Sequence, residues 1–168
     1  MNKGEIVFIT NGIYPNRKST ALVDNWFGIL YDAEGQYEST LTMEEIVQKT
    51  WLAHTDNINS GSVSEDEVCK STELLGDAVK QAKICLRMKL DDYHKDMDPL
   101  LSEEVDKLAS LEEKHKYYQM SLFEDERKKG EQERKIGELF NEFVEWVTET
   151  LTIEDNPYIR FIAVLIGV

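Results

Sequence analysis

The chain has 168 residues, 41% of them hydrophobic, and a formal net charge of −14 at pH 7. This length and composition suit one ordinary core, or a small core with an extension. The acidic balance argues against a chain that grips nucleic-acid phosphates by itself, because such binding needs clustered lysine and arginine. The longest apolar run, Phe161 to Val168, is too short to span a bilayer, and we expect no signal peptide at the N-terminus.

The two cysteines, Cys69 and Cys85, lie sixteen positions apart on one predicted helix. That spacing corresponds to about 24 Å along a helix axis, which is too far for a disulfide bond. We therefore expect a reduced, cytoplasmic protein.

Strand-like segments dominate the first 40 residues. The β-branched apolar run Glu5–Thr10 predicts a buried strand. Asn11–Ser19 predicts a loop, because it contains an Asn-Gly pair and a proline. Thr20–Tyr31 predicts a second strand with a bulge near Gly28, and Gln36–Thr40 predicts a short return strand.

Two capping boxes mark the starts of helices. Thr42–Glu45 opens a helix that is predicted to reach about His54, and Ser64–Glu67 opens a longer one. The Asp98-Pro99 pair is predicted to end the longer helix, since proline removes a donor and restricts the residue before it. Along that helix runs an apolar stripe with steps close to three and four, as in a coiled-coil seam: Val68, Thr72, Leu75, Val79, Ala82, Leu86, Leu90, Tyr93 and Met97.

The segment Ser102–Leu151 contains no proline and predicts one long helix, of about 75 Å at 1.5 Å per residue. Within it, Glu124–Lys135 has no apolar side chain and is predicted to be solvated or to lie along a partner. A short connection after Pro99 predicts that this helix runs antiparallel to the preceding one. The two ends of the segment carry apolar stripes: Val105, Leu108, Leu111, Tyr118 and Leu122, then Ile136, Leu139, Phe140, Phe143, Trp146, Val147 and Leu151.

The last predicted strand, Tyr158–Ile166, is apolar on both faces except at Arg160. This pattern predicts a central strand that pairs with the N-terminal strands, beneath the helix face that carries Phe140, Phe143 and Val147. We therefore predict a single α+β module, with a small sheet of N- and C-terminal strands and a long antiparallel helical hairpin. Residues 64–135 would form a coiled-coil-like arm that projects from a core of residues 1–56 and 136–168.

The segment Gly12–Ser19 has the length of a P-loop and ends in Lys-Ser. Arg17 stands where a P-loop has glycine, and a strand is predicted to follow where a helix should hold the phosphate. A basic surface loop is therefore the preferred interpretation.

Arg87 and His94 have a spacing that resembles the Arg-x4–6-His signature of HEPN ribonucleases, although HEPN domains are all-helical. Near them, Asp92 with Asp96, or His94 with Asp98, could share a helix face and hold a cation. Exposed acidic helix ends are common, and neither His54 nor His115 has a companion in the sequence. We therefore assign no catalytic, cofactor-binding or metal-binding residue and expect no cofactor.

From about Ile84, the chain combines a charged helical pair with the amphipathic helix KIGELFNEFVEWVTETLT (135–152) and the ending Asn156–Val168. This half, and above all Trp146 and the ending, resembles the C-terminal end of large bacterial superfamily-two helicases of the Swi/Snf type. The resemblance implies an accessory module that follows two motor lobes. Because no position matches the motor motifs, we expect this chain to hydrolyse no ATP, although its parent protein would be an ATP-dependent helicase.

The expected partners are the motor lobes or another protein, with nucleic acid contacted only indirectly and no membrane. One alternative is a free-standing coiled-coil adaptor that forms a homodimer through its helices. A third hypothesis is a HEPN-type ribonuclease that uses Arg87 and His94.

Overall fold

The computed structural model describes residues 1–50, 63–121 and 126–167. Their elements are β1 (Ile6–Pro15), β2 (Ala21–Tyr31), β3 (Tyr37–Thr42), α1 (Met43–Thr50), α2 (Glu65–Met120), α3 (Glu126–Leu151) and β4 (Tyr158–Ile166). The predicted α+β class is confirmed by a four-stranded sheet together with two long helices. No helix in the described ranges is both long enough and apolar enough to cross a membrane.

The chain forms two compact units, each built from segments that are distant in sequence. The first consists of Met1–Tyr14, Val23–Leu90 and Asp155–Val168, and the second of Pro15–Leu22 and Asp91–Glu154. Projection of residues 64–135 as an arm from a core of 1–56 and 136–168 stays a prediction.

The sheet of the first unit has the strand order β3-β2-β1-β4. The predicted pairing of the last strand with the N-terminus is confirmed, because β4 runs antiparallel to β1 from Ile6 opposite Ile166 to Ile13 opposite Tyr158. The predicted central position of β4 is wrong. It is an edge strand whose residues are mostly exposed, whereas β1 is almost fully buried.

Both sides of β1 are packed. Val7 lies in a buried cluster with Leu30 of β2 and Ile46 of α1. The Phe8 ring contacts the rings of Tyr31 and Phe161 edge to face, with centroids 5.8 Å apart in each pair. A central strand buried on both faces needs the continuous apolar run that the β1 sequence supplies.

Two predictions about β1 and β2 are corrected. The first strand reaches Pro15, so the first part of the predicted loop Asn11–Ser19 is strand. Gly28 pairs regularly with Leu41, and the register shift lies between Leu30 and Tyr31. Gly28 instead permits a close approach of α1, because an added Cβ would lie 2.7 Å from Cδ1 of Ile46.

Both capping boxes are confirmed. The Thr42 backbone N–H donates to Oε2 of Glu45 at 2.7 Å, and the Ser64 N–H donates to Oε2 of Glu67 at 2.8 Å. In each box the hydroxyl accepts the N–H of the glutamate at 3.3 Å. The predicted end of the first helix at His54 lies outside the described residues, and α1 is described to Thr50.

The buried face of the first part of α2 is only partly the predicted stripe. Val68 and Leu75 of that stripe are exposed, at 51% and 39%. A seven-residue repeat drifts by about 20° per heptad on a straight helix, so a stripe of four heptads cannot stay on one face. The buried residues here are Ala78, Ala82, Cys85 and Leu86.

The predicted break at Pro99 is wrong, because α2 continues through this proline to Met120. The predicted single helix Ser102–Leu151 is wrong as well, since α3 is a separate helix that begins at Glu126. An antiparallel helix pair is present in the second unit, but it is formed by α2 and α3 and not by the segments on either side of Pro99. Gly137 of α3 lies near Glu112 and Lys116 of α2, while Tyr93 of α2 donates to the Leu151 carbonyl at 2.9 Å.

Candidate interaction surface

The P-loop-like segment forms a β-hairpin. Its residues as far as Pro15 belong to β1, and Ser19 takes a positive φ of 61° in the turn that leads into β2. Because the strand β2 follows the turn, the segment lacks the helix that holds the phosphate directly after a P-loop. Gly12 has a packing role: an added Cβ would lie 2.3 Å from Cδ2 of Leu86.

Asn16 lies in the turn of this β-hairpin, in the second unit, and its polar side chain is buried, with 2% exposure. Its Oδ1 accepts the N–H groups of Lys18 and Thr20 at 2.9 and 2.8 Å. Its Nδ2 donates to the Thr150 carbonyl of α3 at 2.8 Å. The asparagine therefore fixes the turn against the end of α3, a role that the sequence analysis missed.

Arg87 and His94 both lie on α2, where Arg87 is exposed. His94 and Asp98 share a helix face, with 3.2 Å between Nδ1 and Oδ1. In residues 1–50, 63–121 and 126–167, no group of three or more His, Cys, Asp or Glu is placed to bind a metal ion. His115 lies against Phe140 of α3, with ring centroids 5.9 Å apart.

The predicted apolar stripe of α3 is divided between two faces. Ile136 is buried, and Phe140 and Val147 are half-buried on the side that faces α2. Leu139, Phe143 and Trp146 are 50%, 49% and 58% exposed. Steps of four and three place these three side chains on one side of the helix. We call Leu139, Phe143 and Trp146 the apolar flank.

Beside the apolar flank, α3 carries an acidic stripe, which we define as Glu138, Glu142, Glu145 and Glu149. Steps of four, three and four keep these carboxylates on one face. Glu138 pairs with Arg134 and Glu149 pairs with Lys18, each with 3.5 Å between nitrogen and oxygen. Glu142 and Glu145 form no ion pair with any residue in the described parts of the chain.

Lys18 contacts both the last residue of the apolar flank and the last residue of the acidic stripe. Its Nζ lies 5.2 Å from the ring centroid of Trp146 and 3.5 Å from Oε2 of Glu149. A lysine thus sits over the tryptophan and pairs with the adjacent glutamate. An ammonium group gains from both contacts, through the ring quadrupole and through the carboxylate charge.

Near Gly137, the facing surfaces of α2 and α3 are polar. Lys116 Nζ lies 2.6 Å from Oε1 of Glu112, and this hydrogen bond raises the pKa of Lys116. Both residues are close to Gly137, in agreement with the absence of apolar side chains between Glu126 and Lys135. Because these charges are paired with each other, the apolar flank is the stronger candidate for contact with another molecule.

The resemblance of the C-terminal half to helicase accessory modules stays a prediction, because comparisons with known proteins give no match. No protein-family model matches the chain, and neither curated proteins nor solved structures give a significant match.

Proposed function

We propose that this chain is a non-catalytic accessory module of a helicase-like, DNA-associated ATPase, and that it binds a protein partner through the apolar flank. The supporting observation is the exposure of Leu139, Phe143 and Trp146 side by side on α3. Contiguous exposed apolar side chains mark interaction sites, and tryptophan is enriched among the residues that dominate interface energies.

The apolar flank supplies only part of the energy that a specific contact needs. Complete burial of one large apolar side chain contributes about 1.5–3 kcal/mol, so burying the exposed half of each gives roughly 1 kcal/mol. The three together contribute about 3 kcal/mol before the costs of association. A functional interface would therefore need further contacts around this centre.

The helicase part of the proposal depends on the sequence. Trp146 belongs to the stretch that most resembles the C-terminal modules of Swi/Snf-type helicases, and it is also the most exposed residue of the apolar flank. The free cysteines Cys69 and Cys85 agree with a cytoplasmic protein. The acidic stripe favours a protein partner, since carboxylates repel phosphates.

Site-specific photo-crosslinking in the source cells tests this function. Benzoylphenylalanine at position 146 should crosslink to a polypeptide that carries helicase motor motifs, identified by mass spectrometry. The matched control is the same amino acid at Tyr117, an exposed aromatic residue of α2 outside the apolar flank, which should give no such product.

The other outcomes distinguish the competing hypotheses. A crosslink from position 146 only to a second copy of the chain would favour the adaptor. Ribonuclease activity of the purified chain that is lost in both Arg87→Ala and His94→Ala would establish the HEPN hypothesis. Absence of any product at position 146 would refute the proposed surface.

A coiled-coil adaptor has support from a separate observation. Leu100, Leu111 and Tyr118 of α2 are 55%, 46% and 68% exposed. Steps of eleven and seven place them on one helix side, where a second copy could pack. Sedimentation equilibrium would test this alternative: the adaptor hypothesis expects a dimer that Leu111→Glu dissociates, whereas the accessory-module hypothesis expects a monomer.

A further inference from the structure

The apolar flank and the acidic stripe lie next to each other along the same turns of α3. From Glu138 to Glu149 they extend over about 17 Å of helix, at 1.5 Å per residue. A second helix packed along α3 would meet apolar side chains on one side of the contact line and carboxylates on the other. The complementary segment has an apolar stripe bordered by lysine or arginine.

Among the described residues, none pairs with the carboxylates at the centre of the acidic stripe. Glu142 and Glu145 have no cation within ion-pair distance among the described residues, whereas Arg134 and Lys18 pair with the two outer glutamates. A partner's cations are therefore expected opposite Glu142 and Glu145. Lys18, which contacts Trp146 and Glu149 together, is an internal example of how a cation fits this surface.

Other occupants fit the surface less well. A second copy that used the same face would bring two acidic stripes close together, and like charges across an interface are unfavourable. A nucleic acid would meet carboxylates in place of the cations that its phosphates require.

We infer that the apolar flank and the acidic stripe of α3 bind a basic amphipathic helix of a protein partner. This inference rests on the proposed function and specifies the chemistry of the partner. The partner's apolar residues would cover Leu139, Phe143 and Trp146, and its lysines or arginines would pair with Glu142 and Glu145.

The probe is a fluorescent amphipathic peptide of about 18 residues, with leucine at helical spacing and lysine on the bordering face. One control peptide carries glutamate in place of every lysine. A second has the basic composition in an order that removes the apolar stripe. Fluorescence anisotropy with the full chain should give at least about tenfold tighter binding for the basic amphipathic peptide than for either control.

A charge reversal on the chain separates local binding from general attraction to an acidic protein. Glu142→Lys with Glu145→Lys should weaken binding by about tenfold, because two attractions become repulsions. Asp106→Lys with Glu113→Lys is the matched control, with the same net-charge change on exposed residues of α2. This control should change the affinity by less than about twofold, since it lies outside the contact.

The inference is overturned if the two double variants weaken binding equally, or if the scrambled basic peptide binds as well as the amphipathic one. Circular dichroism checks that both variants keep their helices, which glutamate and lysine favour about equally. If position 146 crosslinks to a helicase motor but the chain does not prefer the basic amphipathic peptide over the controls, only the inferred chemistry of the partner is refuted. Absence of the crosslink refutes the proposed function whatever the peptide does.

Discussion

Replacing Asn16 with alanine should destabilise the protein by about 3 kcal/mol. The substitution removes three hydrogen bonds of a residue that is 2% exposed: two that Oδ1 accepts from backbone N–H groups and one that Nδ2 donates to the Thr150 carbonyl. A typical intramolecular hydrogen bond contributes about 1 kcal/mol net, and buried groups left unpaired cost more. The turn between β1 and β2 would then lose one of its attachments to the end of α3, while the contacts of Lys18 with Trp146 and Glu149 remain.

Urea unfolding, followed by circular dichroism, measures this change in the free energy of unfolding. The control is Lys18→Ala, which removes an ion pair and a ring contact of a side chain about one-third exposed. Such contacts contribute less than about 1 kcal/mol. Amide exchange should also become faster at Lys18 and Thr20 in Asn16→Ala. The reasoning is refuted if Asn16→Ala stays within about 0.5 kcal/mol of the unaltered protein.

Three further predictions concern the first unit. Gly12→Ala places a Cβ against the Leu86 side chain and should lower the free energy of unfolding by about 1–3 kcal/mol through overpacking. The control is Gly76→Ala, at a helical glycine with open space around it, which should stabilise the protein by about 0.5–1 kcal/mol. Equal effects of the two substitutions in thermal melts would contradict this prediction. Burial raises the pKa of Glu5, but the hydrogen bonds that it accepts from Asn2 and Lys49 lower it below its ordinary value. The ionised carboxylate therefore stabilises the fold above its ordinary pKa of about 4.3, and this contribution is lost as the pH falls through the lower folded pKa. In Glu5→Gln, the free energy of unfolding should therefore fall less steeply as the pH is lowered through the acidic range. An unchanged pH dependence of stability in this variant would contradict the lowered pKa of Glu5. Ile162→Asp should lower the free energy of unfolding by less than about 1 kcal/mol, because that side chain is 53% exposed. Leu30→Ala, at a side chain that is 2% exposed, should lower it by about 2–5 kcal/mol. If urea unfolding gave the larger loss for Ile162→Asp, β4 would be buried like a central strand and the edge position would be contradicted.

Pro99 illustrates how tertiary contacts override a local signal. A proline inside a helix costs about 3 kcal/mol, so the sequence favours a break there. In the second unit, however, α3 contacts α2 on both sides of this proline. Tyr93, before it, bonds to Leu151, and His115, after it, packs against Phe140. These contacts offset the cost, and the helix continues.

The sequence determined the features that depend on near neighbours. Both capping boxes form as predicted, because a hydroxyl and a glutamate three residues apart satisfy the first N–H groups of the helix by themselves. The pairing of β4 with the N-terminal strand was also predicted, since both runs are apolar and need a partner.

Only the tertiary structure decided which surfaces are covered. The apolar run of β4 was consistent with a central strand, yet β1 occupies that place and β4 lies at the edge. Likewise, one predicted stripe on α3 became a face against α2 and the exposed apolar flank of Leu139, Phe143 and Trp146. Periodicity states which side chains share a face, but burial depends on elements distant in sequence, and no local pattern encodes their positions.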